Sequence, residues 1–273
     1  MLRFTYPLVL MLICAVNSQK LNAQSLPLGK TIILNASAFK KNVDANTLKN
    51  FIAGEVSRSW SSVYPGTELY ILQADRGVGK DDNLLVCTDN DEKDQNPSFP
   101  TGSPFSNKVF YSLGSLSLEP SSFLTDPEKF VKYQLIGSES IQSLPEVEIL
   151  GIHYIQVKED KSDEFDRFIM EKLNPKVSNL LPDMGLFYYK AIEGEHVGSY
   201  LTIFAIRSIE SRERFWPTGG NETEIVKKAF LPLNDLAREL GDYLVEGSYL
   251  LPESGGAAAY FESLKWTDFV IMK

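Results

Sequence analysis

The chain has 273 residues, 43% hydrophobic and 23% charged, with 36 acidic side chains against 27 basic ones and a formal net charge of −9. This is the composition of a globular protein with a sizeable core, and 11% aromatics argue against large-scale disorder. An acidic chain without a basic cluster argues against nucleic acid and anionic membrane surfaces as partners.

Residues 1–23 differ in kind from the rest. Arg3 precedes an apolar run from Tyr6 to Val16, and small and polar residues follow. This is the pattern of a secretory signal peptide, and the run is too short to span a bilayer comfortably. Cleavage is expected near Ala23, giving a secreted or periplasmic protein with no membrane attachment. An uncleaved anchor helix is the alternative. A lipoprotein reading through Cys14 is weaker, because Ile13 stands where a small residue is normally needed. Without Arg3 and Lys20 the 27 cations fall to 25 against 36 anions, a net charge of about −11. Cys87 is then the one cysteine, so neither an internal disulfide nor a zinc site of the usual kind is expected.

Displaced by about 117 positions, the phrase PGTELYILQADRGVGKDDNLLVCTD from Pro65 falls without a gap on PDMGLFYYKAIEGEHVGSYLTIFAI from Pro182. The chain is therefore divided into a first copy, 27–147, and a second, 148–273. In the first, the strand TIILNASAF precedes a helix whose apolar stripe is Leu48, Phe51, Ile52 and Val56. Strands LYILQA and NLLVCT then flank a turn at Gly77. Residues 89–122, rich in Pro, Ser, Asn and Asp, read as a long loop, either a lid or binding edge or a plain surface insertion. TDPEKFVKYQL reads as a second helix, with Thr125 and Glu128 as a capping box and Pro127 in its first turn. EVEIL is taken as the last strand. The second copy repeats the series. The strand ILGIHYIQV leads to a helix with the stripe Phe165, Phe168, Ile169 and Leu173, capped by Ser162. Strands LFYYKA and YLTIFAI flank Gly194. A helical region capped by Asn221 is divided at Pro232, and WTDFVIM closes the copy.

The order β-α-β-β-α-β, twice, predicts an α+β chain of two ferredoxin-like repeats. The segments IHYIQVKEDKSDEFDRFIMEKLNPKV and LFYYKAIEGEHVGSYLTIFAIRSIESRERFWP carry a resemblance to the dimeric α+β barrel superfamily, which includes the antibiotic-biosynthesis monooxygenase, NIPSNAP and EthD-like families. Those families have a strand, a helix after a polar turn, a hairpin, and an Arg-containing segment ending near an aromatic. Here that segment holds Arg212, Arg214, Phe215 and Trp216. The resemblance implies one chain forming the barrel that relatives build by dimerising, hence a monomer with pseudo-dimeric repeats.

Alternation gives each strand two faces. Phe187, Tyr189 and Ala191, with Tyr70, Leu72, Ala74, Leu201 and Ile203, are expected beneath helices. The other face is expected to turn toward the opposite sheet and to mix Asn35, Ser37, Tyr154, Gln156, Tyr188, Lys190 and Thr202 with apolar groups. A mixed face suits a ligand cavity between two sheets. A packed interface with satisfied polar groups is the plainer reading of the same residues. His153, on the opposite phase, reads as a helix-packed, hydrogen-bonded histidine, and His196 as an exposed turn residue. Cys87 reads as apolar filler. RGVGKDDN lacks the first glycine of a phosphate loop and has Asp81 where Ser or Thr is required. Asn35 and Asn221 begin glycosylation-type triplets, relevant only in a glycosylating secretory system.

The resemblance implies chemistries to weigh. Haem-degrading relatives use Asn, Trp and His. Asn35 and Trp60 are present, but neither copy has a histidine in its second-helix position. No metal and no cofactor are expected. The expected function is an exported barrel that binds a small apolar or aromatic molecule. A cofactor-independent monooxygenase or isomerase using Tyr188 or Lys190 is one alternative, and a structural or interaction module with a filled barrel is another.

Overall fold

The structure is a computed structural model, and it describes residues 31–36, 44, 50–56, 67–77, 83–89, 130–136, 147–177, 180–181, 183–194, 197–219, 221–245 and 266–271. The signal-like segment, Ser37, Trp60, His196, the helix cap at Thr125 and nearly all of the 89–122 loop lie outside these residues.

Eight strands are present among them: β1 (Thr31–Ala36), β2 (Thr67–Gly77), β3 (Asn83–Asp89), β4 (Phe130–Leu135), β5 (Ile149–Ile155), β6 (Met184–Glu193), β7 (Tyr200–Ile206) and β8 (Trp266–Ile271). They form one closed antiparallel barrel in the order β1-β3-β2-β8-β5-β7-β6-β4. Each half of the chain contributes four strands in the same order, β4-β1-β3-β2 and β8-β5-β7-β6. The seams are β2 with β8 and β4 with β6. Closure pairs the outer strands of each four-stranded sheet and leaves no open edge. This is the α+β barrel that the resemblance implied. β2 and β6 begin at Thr67 and Met184, and β3 and β7 at Asn83 and Tyr200, in both cases 117 positions apart. The hairpin glycines Gly77 and Gly194 adopt φ of 112° and 109°, the positive values their turns require.

Two expected elements of the first half are corrected. FVKYQL, read as a helix, is strand β4. Val131, Tyr133 and Leu135 share the barrel-facing side while Gln134 is exposed. That period of two, with a β-branched and an aromatic residue, outweighs the capping signal upstream. EVEIL is not the fourth strand of the first half. Ile149 and Leu150 begin β5, and Glu148 extends the ladder through bonds with Ile206 and Ile271.

The second half carries α1 (Ser162–Phe168), a π-helical turn Ile169–Leu173, α2 (Asn174–Val177), α3 (Ile209–Phe215), α4 (Glu224–Phe230), a 3-10 turn Leu231–Leu233 and α5 (Asn234–Tyr243). The expected stripe Phe165, Phe168, Ile169 and Leu173 is buried throughout. The π turn, with Asn174 N–H bonded to Ile169 O, stands just before Pro175, which has no N–H to continue the ladder. Pro232 falls in the 3-10 turn dividing α4 from α5, as expected. The caps differ from expectation. Lys161 occupies the N-cap of α1, and Ser162 spends its hydroxyl on Tyr200 at 2.7 Å. Thr223, not Asn221, is the N-cap of α4. Helix α3 was not foreseen, although Ser208 caps it by accepting from Ser211 N–H and Glu210 sits in its first turn, both ordinary start signals.

The core has two layers. Ile32, Leu34, Tyr70, Leu72, Tyr133, Leu150, Ile152, Phe187, Tyr189, Leu201, Ile203 and Phe269 pack inside the barrel. Leu186, Tyr188, Tyr200, Phe204 and Ile206 pack outward, against Phe165, Phe168, Phe215, Phe230, Leu233 and Leu240 of the helices. This reverses the expected faces. Phe187, Tyr189 and Ala191 fill the barrel, and Tyr188 meets the helices. Both faces of β6 and β7 are apolar enough for either role, so alternation separates them without saying which one the helices choose.

Candidate functional site

The predicted site residues do not converge. Tyr188, Lys190 and Thr202 lie on the helix-facing side of the second sheet. Tyr154 shares a strand face with the interior residues Leu150 and Ile152 but is 45% exposed. Gln156 is exposed beyond the end of β5. Asn35 lies in β1, paired with Leu85 and Phe130, and Ser37 is outside the described residues. The face expected to enclose a ligand between the two sheets is therefore split. Its barrel side is occupied by apolar and aromatic side chains, while Tyr188, Lys190 and Thr202 face the helices.

The chemistry collects beneath the helices. His153 on β5 is directly opposite Thr202 on β7, and Thr202 is directly opposite Tyr188 on β6. The three form one row across three strands, spanning about 9–10 Å of sheet. All three are buried, His153 at 6% exposure and the other two at 1%. His153 Nδ1 and Tyr188 Oη have no hydrogen-bond partner. His153 was expected to be helix-packed and hydrogen-bonded. It lies on the same sheet face as Tyr188 and Thr202, with its ring 5.4 Å from that of Phe204 on β7, and the hydrogen bond is not found at Nδ1. Burial lowers the His153 pKa to about 3, so the ring is neutral at pH 7. Burial likewise raises the Tyr188 phenol well above its ordinary value.

One side of this row is walled by aromatics. Trp216, at the end of α3, stands edge-on to Phe204 at 6.0 Å, to Phe215 at 6.0 Å and to Phe230 at 6.4 Å. Beyond them lies a charge network that no motif announced. Arg212 of α3, buried, holds Asp75 at 2.5 Å, Glu213 at 2.8 Å and Asp268 at 3.5 Å. Arg76 holds Asp268 at 2.6 Å and donates to Trp216 O at 2.8 Å. Burial raises the Asp268 pKa, and Arg76 and Arg212 oppose that shift. Hydrogen bonds from the Thr218 backbone and hydroxyl hold Glu213 down to about 2. The pairing of β2 with β8 slips between Ala74 and Arg76, the bulge that presents this charged pair at the seam. Gly151, opposite Asp268 on the neighbouring strand, leaves room for the carboxylate: a Cβ there would sit 3.0 Å from Asp268 Oδ1.

The other side is closed by a second network. Lys190 Nζ pairs with Asp166 at 2.6 Å, and Tyr200 Oη donates to the other oxygen of the same carboxylate at 2.7 Å. Burial pulls the Lys190 pKa down, but Asp166 and Tyr200 hold it above its ordinary value, so the expected proton-handling lysine is a fixed cation. Burial pushes Tyr200 up to about 12. Among the described residues, no three His, Cys, Asp or Glu side chains are grouped to hold a metal ion, and no helix is long and apolar enough to cross a membrane.

No family model and no curated protein matches the chain. Solved structures are similar in fold. They include a candidate monooxygenase from Fusobacterium nucleatum (12% identity, TM-score 0.48, 92% of this chain and 94% of that one). A dye-decolorizing peroxidase from Bacteroides thetaiotaomicron matches at 10% identity and TM-score 0.45, covering 91% of this chain and 96% of that one. An anthrone oxidase-like protein matches at 10% identity and TM-score 0.44, covering 92% and 93%. At these identities the similarity is one of fold.

Proposed function

We propose that this chain is an exported α+β barrel protein that binds a small apolar or aromatic molecule, without a metal, between the second sheet and its helices. The observation carrying the reading is the pair of buried, unpartnered atoms His153 Nδ1 and Tyr188 Oη on either side of Thr202. A buried polar atom left unsatisfied costs about 1–3 kcal/mol, so two in one row are a reason to expect an occupant that pairs with them. The surrounding Phe204, Trp216, Phe215 and Phe230 supply the apolar contact that such a molecule needs. Export rests on the signal-like residues 1–23, and an intact mass starting near Gln24 in the exported protein tests it.

The same groups favour holding a ligand over moving protons. A histidine that titrates near 3 and a phenol held above its ordinary range are poor acid–base partners at neutral pH. Native mass spectrometry of the purified chain is the direct test. A retained small molecule, lost in Tyr188→Phe, supports binding. An unliganded mass together with a loss of stability in Tyr188→Phe counts against it, because the Tyr188 hydroxyl would then have a protein partner. Oxygen uptake with diphenol substrates, abolished by Tyr188→Phe, would move the reading to a cofactor-independent oxygenase.

A further inference from the structure

Resting on the binding site proposed above, the charge arrangement around it points to an uncharged ligand, one that meets His153 Nδ1 and Tyr188 Oη with its own hydroxyl or carbonyl groups. We infer this from how three described cations that flank the row, Arg212, Arg76 and Lys190, are spent. Arg212 is committed to Asp75, Glu213 and Asp268. Arg76 is committed to Asp268 and to the Trp216 carbonyl. Lys190 is committed to Asp166 and lies 5.4 Å above the Tyr200 ring. An anionic ligand would have to take a cation from one of these pairs, and removing one partner of a buried pair is among the costlier changes a fold can suffer. A cationic ligand fares no better. Asp268 is held by two arginines, Asp166 by Lys190 and Tyr200, and Glu213 by Arg212 and Thr218. A charge of either sign entering this layer would be buried without a counter-ion, which is far more costly than burying a hydrogen-bonded hydroxyl.

Among the described residues of the row, the groups left unpartnered are neutral ones. His153 Nδ1 offers one hydrogen-bonding position, and the Tyr188 hydroxyl can donate and accept. Thr202 lies between them in register, so the polar stripe is continuous while the walls are aromatic. That pattern recognises a flat, uncharged molecule with an oxygen on its edge.

The test uses three probes of one shape at pH 7: 2-naphthol, 2-naphthoate and 2-naphthylmethylammonium. Each is titrated calorimetrically into the mature chain and into the Tyr188→Phe and His153→Gln variants, with circular dichroism confirming that the variants fold. We expect 2-naphthol to bind at least tenfold more tightly than either ion, and to lose about tenfold in affinity in Tyr188→Phe, the worth of one hydrogen bond. If 2-naphthoate or the ammonium binds as tightly as 2-naphthol, and the variants weaken it, the site exists but the uncharged-ligand inference is wrong. If no probe binds, or both variants leave 2-naphthol affinity unchanged, the binding site itself falls and this inference with it.

Discussion

Arg212 on α3 of the second half reaches across the β2–β8 seam to Asp75 of the first half, with Nη1 2.5 Å from the carboxylate. The two ends of this pair are unequal. The Arg212 side chain is 4% exposed and that of Asp75 is 47% exposed. The buried partner of the same guanidinium is Asp268, 7% exposed, which Arg76 also holds.

That asymmetry predicts unequal costs. Arg212→Ala leaves a buried carboxylate with one cation fewer and should destabilise by about 3–5 kcal/mol. Asp75→Ala removes a solvent-screened partner and should cost less than about 1 kcal/mol. Urea unfolding of the two variants checks this. Equal costs would mean that the seam pair, and not Asp268, is what Arg212 serves.

Gly151 is predicted to be intolerant of a methyl group. Its Cβ would stand 3.0 Å from Asp268 Oδ1 and 3.4 Å from Phe204 Cβ, in a strand that cannot shift without disturbing two ladders. Gly151→Ala should cost about 1–3 kcal/mol by overpacking. In an Asp268→Ala background the methyl should cost less, and the double-mutant cycle measures the difference.

His153 should give the protein a pH dependence in the acid range. Its folded pKa, about 3, lies below the ordinary 6.5, so between these values the unfolded chain binds the proton and the folded one does not. Stability from this group is full above pH 6.5 and is lost as pH falls toward 3, with a slope of up to about 1.4 kcal/mol per pH unit. In His153→Phe the slope of unfolding free energy between pH 6.5 and 4 should flatten. A slope unchanged from wild type would place the titration elsewhere.

Two tyrosines on adjacent strands should respond oppositely to loss of their hydroxyls. Tyr200 Oη is bonded to Asp166 and Ser162, and Tyr200→Phe should cost about 1–3 kcal/mol by leaving Asp166 short of a donor. Tyr188 Oη has no protein partner, so Tyr188→Phe should leave the ligand-free protein as stable as before, or more stable by about 1 kcal/mol. Thermal unfolding of the ligand-free proteins reads both.

Much of the barrel was legible in the chain. Periodicity of 3.6 identified the stripe of Phe165, Phe168, Ile169 and Leu173, and the echo between Pro65 and Pro182 located both hairpins. The site was less legible. Tyr188 and Thr202 were selected as polar residues on one strand face, but His153 was assigned to the opposite phase and Tyr154 was grouped with them wrongly. Phase between strands depends on register, and register is a property of pairing: His153 opposite Thr202 and Thr202 opposite Tyr188 are facts about three strands at once. The Asp75, Arg76, Arg212 and Asp268 network had no local signature, because its members come from β2, α3 and β8.

The sequence by itself determined the strands of the second half and its helices other than α3, and that two similar strand sets succeed one another. Local period, turn glycines and prolines are enough for that, since they act over a few residues. Only the tertiary structure decided which sheet face met the helices and which filled the barrel, which carboxylate each arginine found, and that His153 and Tyr188 were left without partners. Those outcomes depend on how two nearly equally apolar faces share the burial when the barrel closes, a choice made by the whole molecule and not by any one segment.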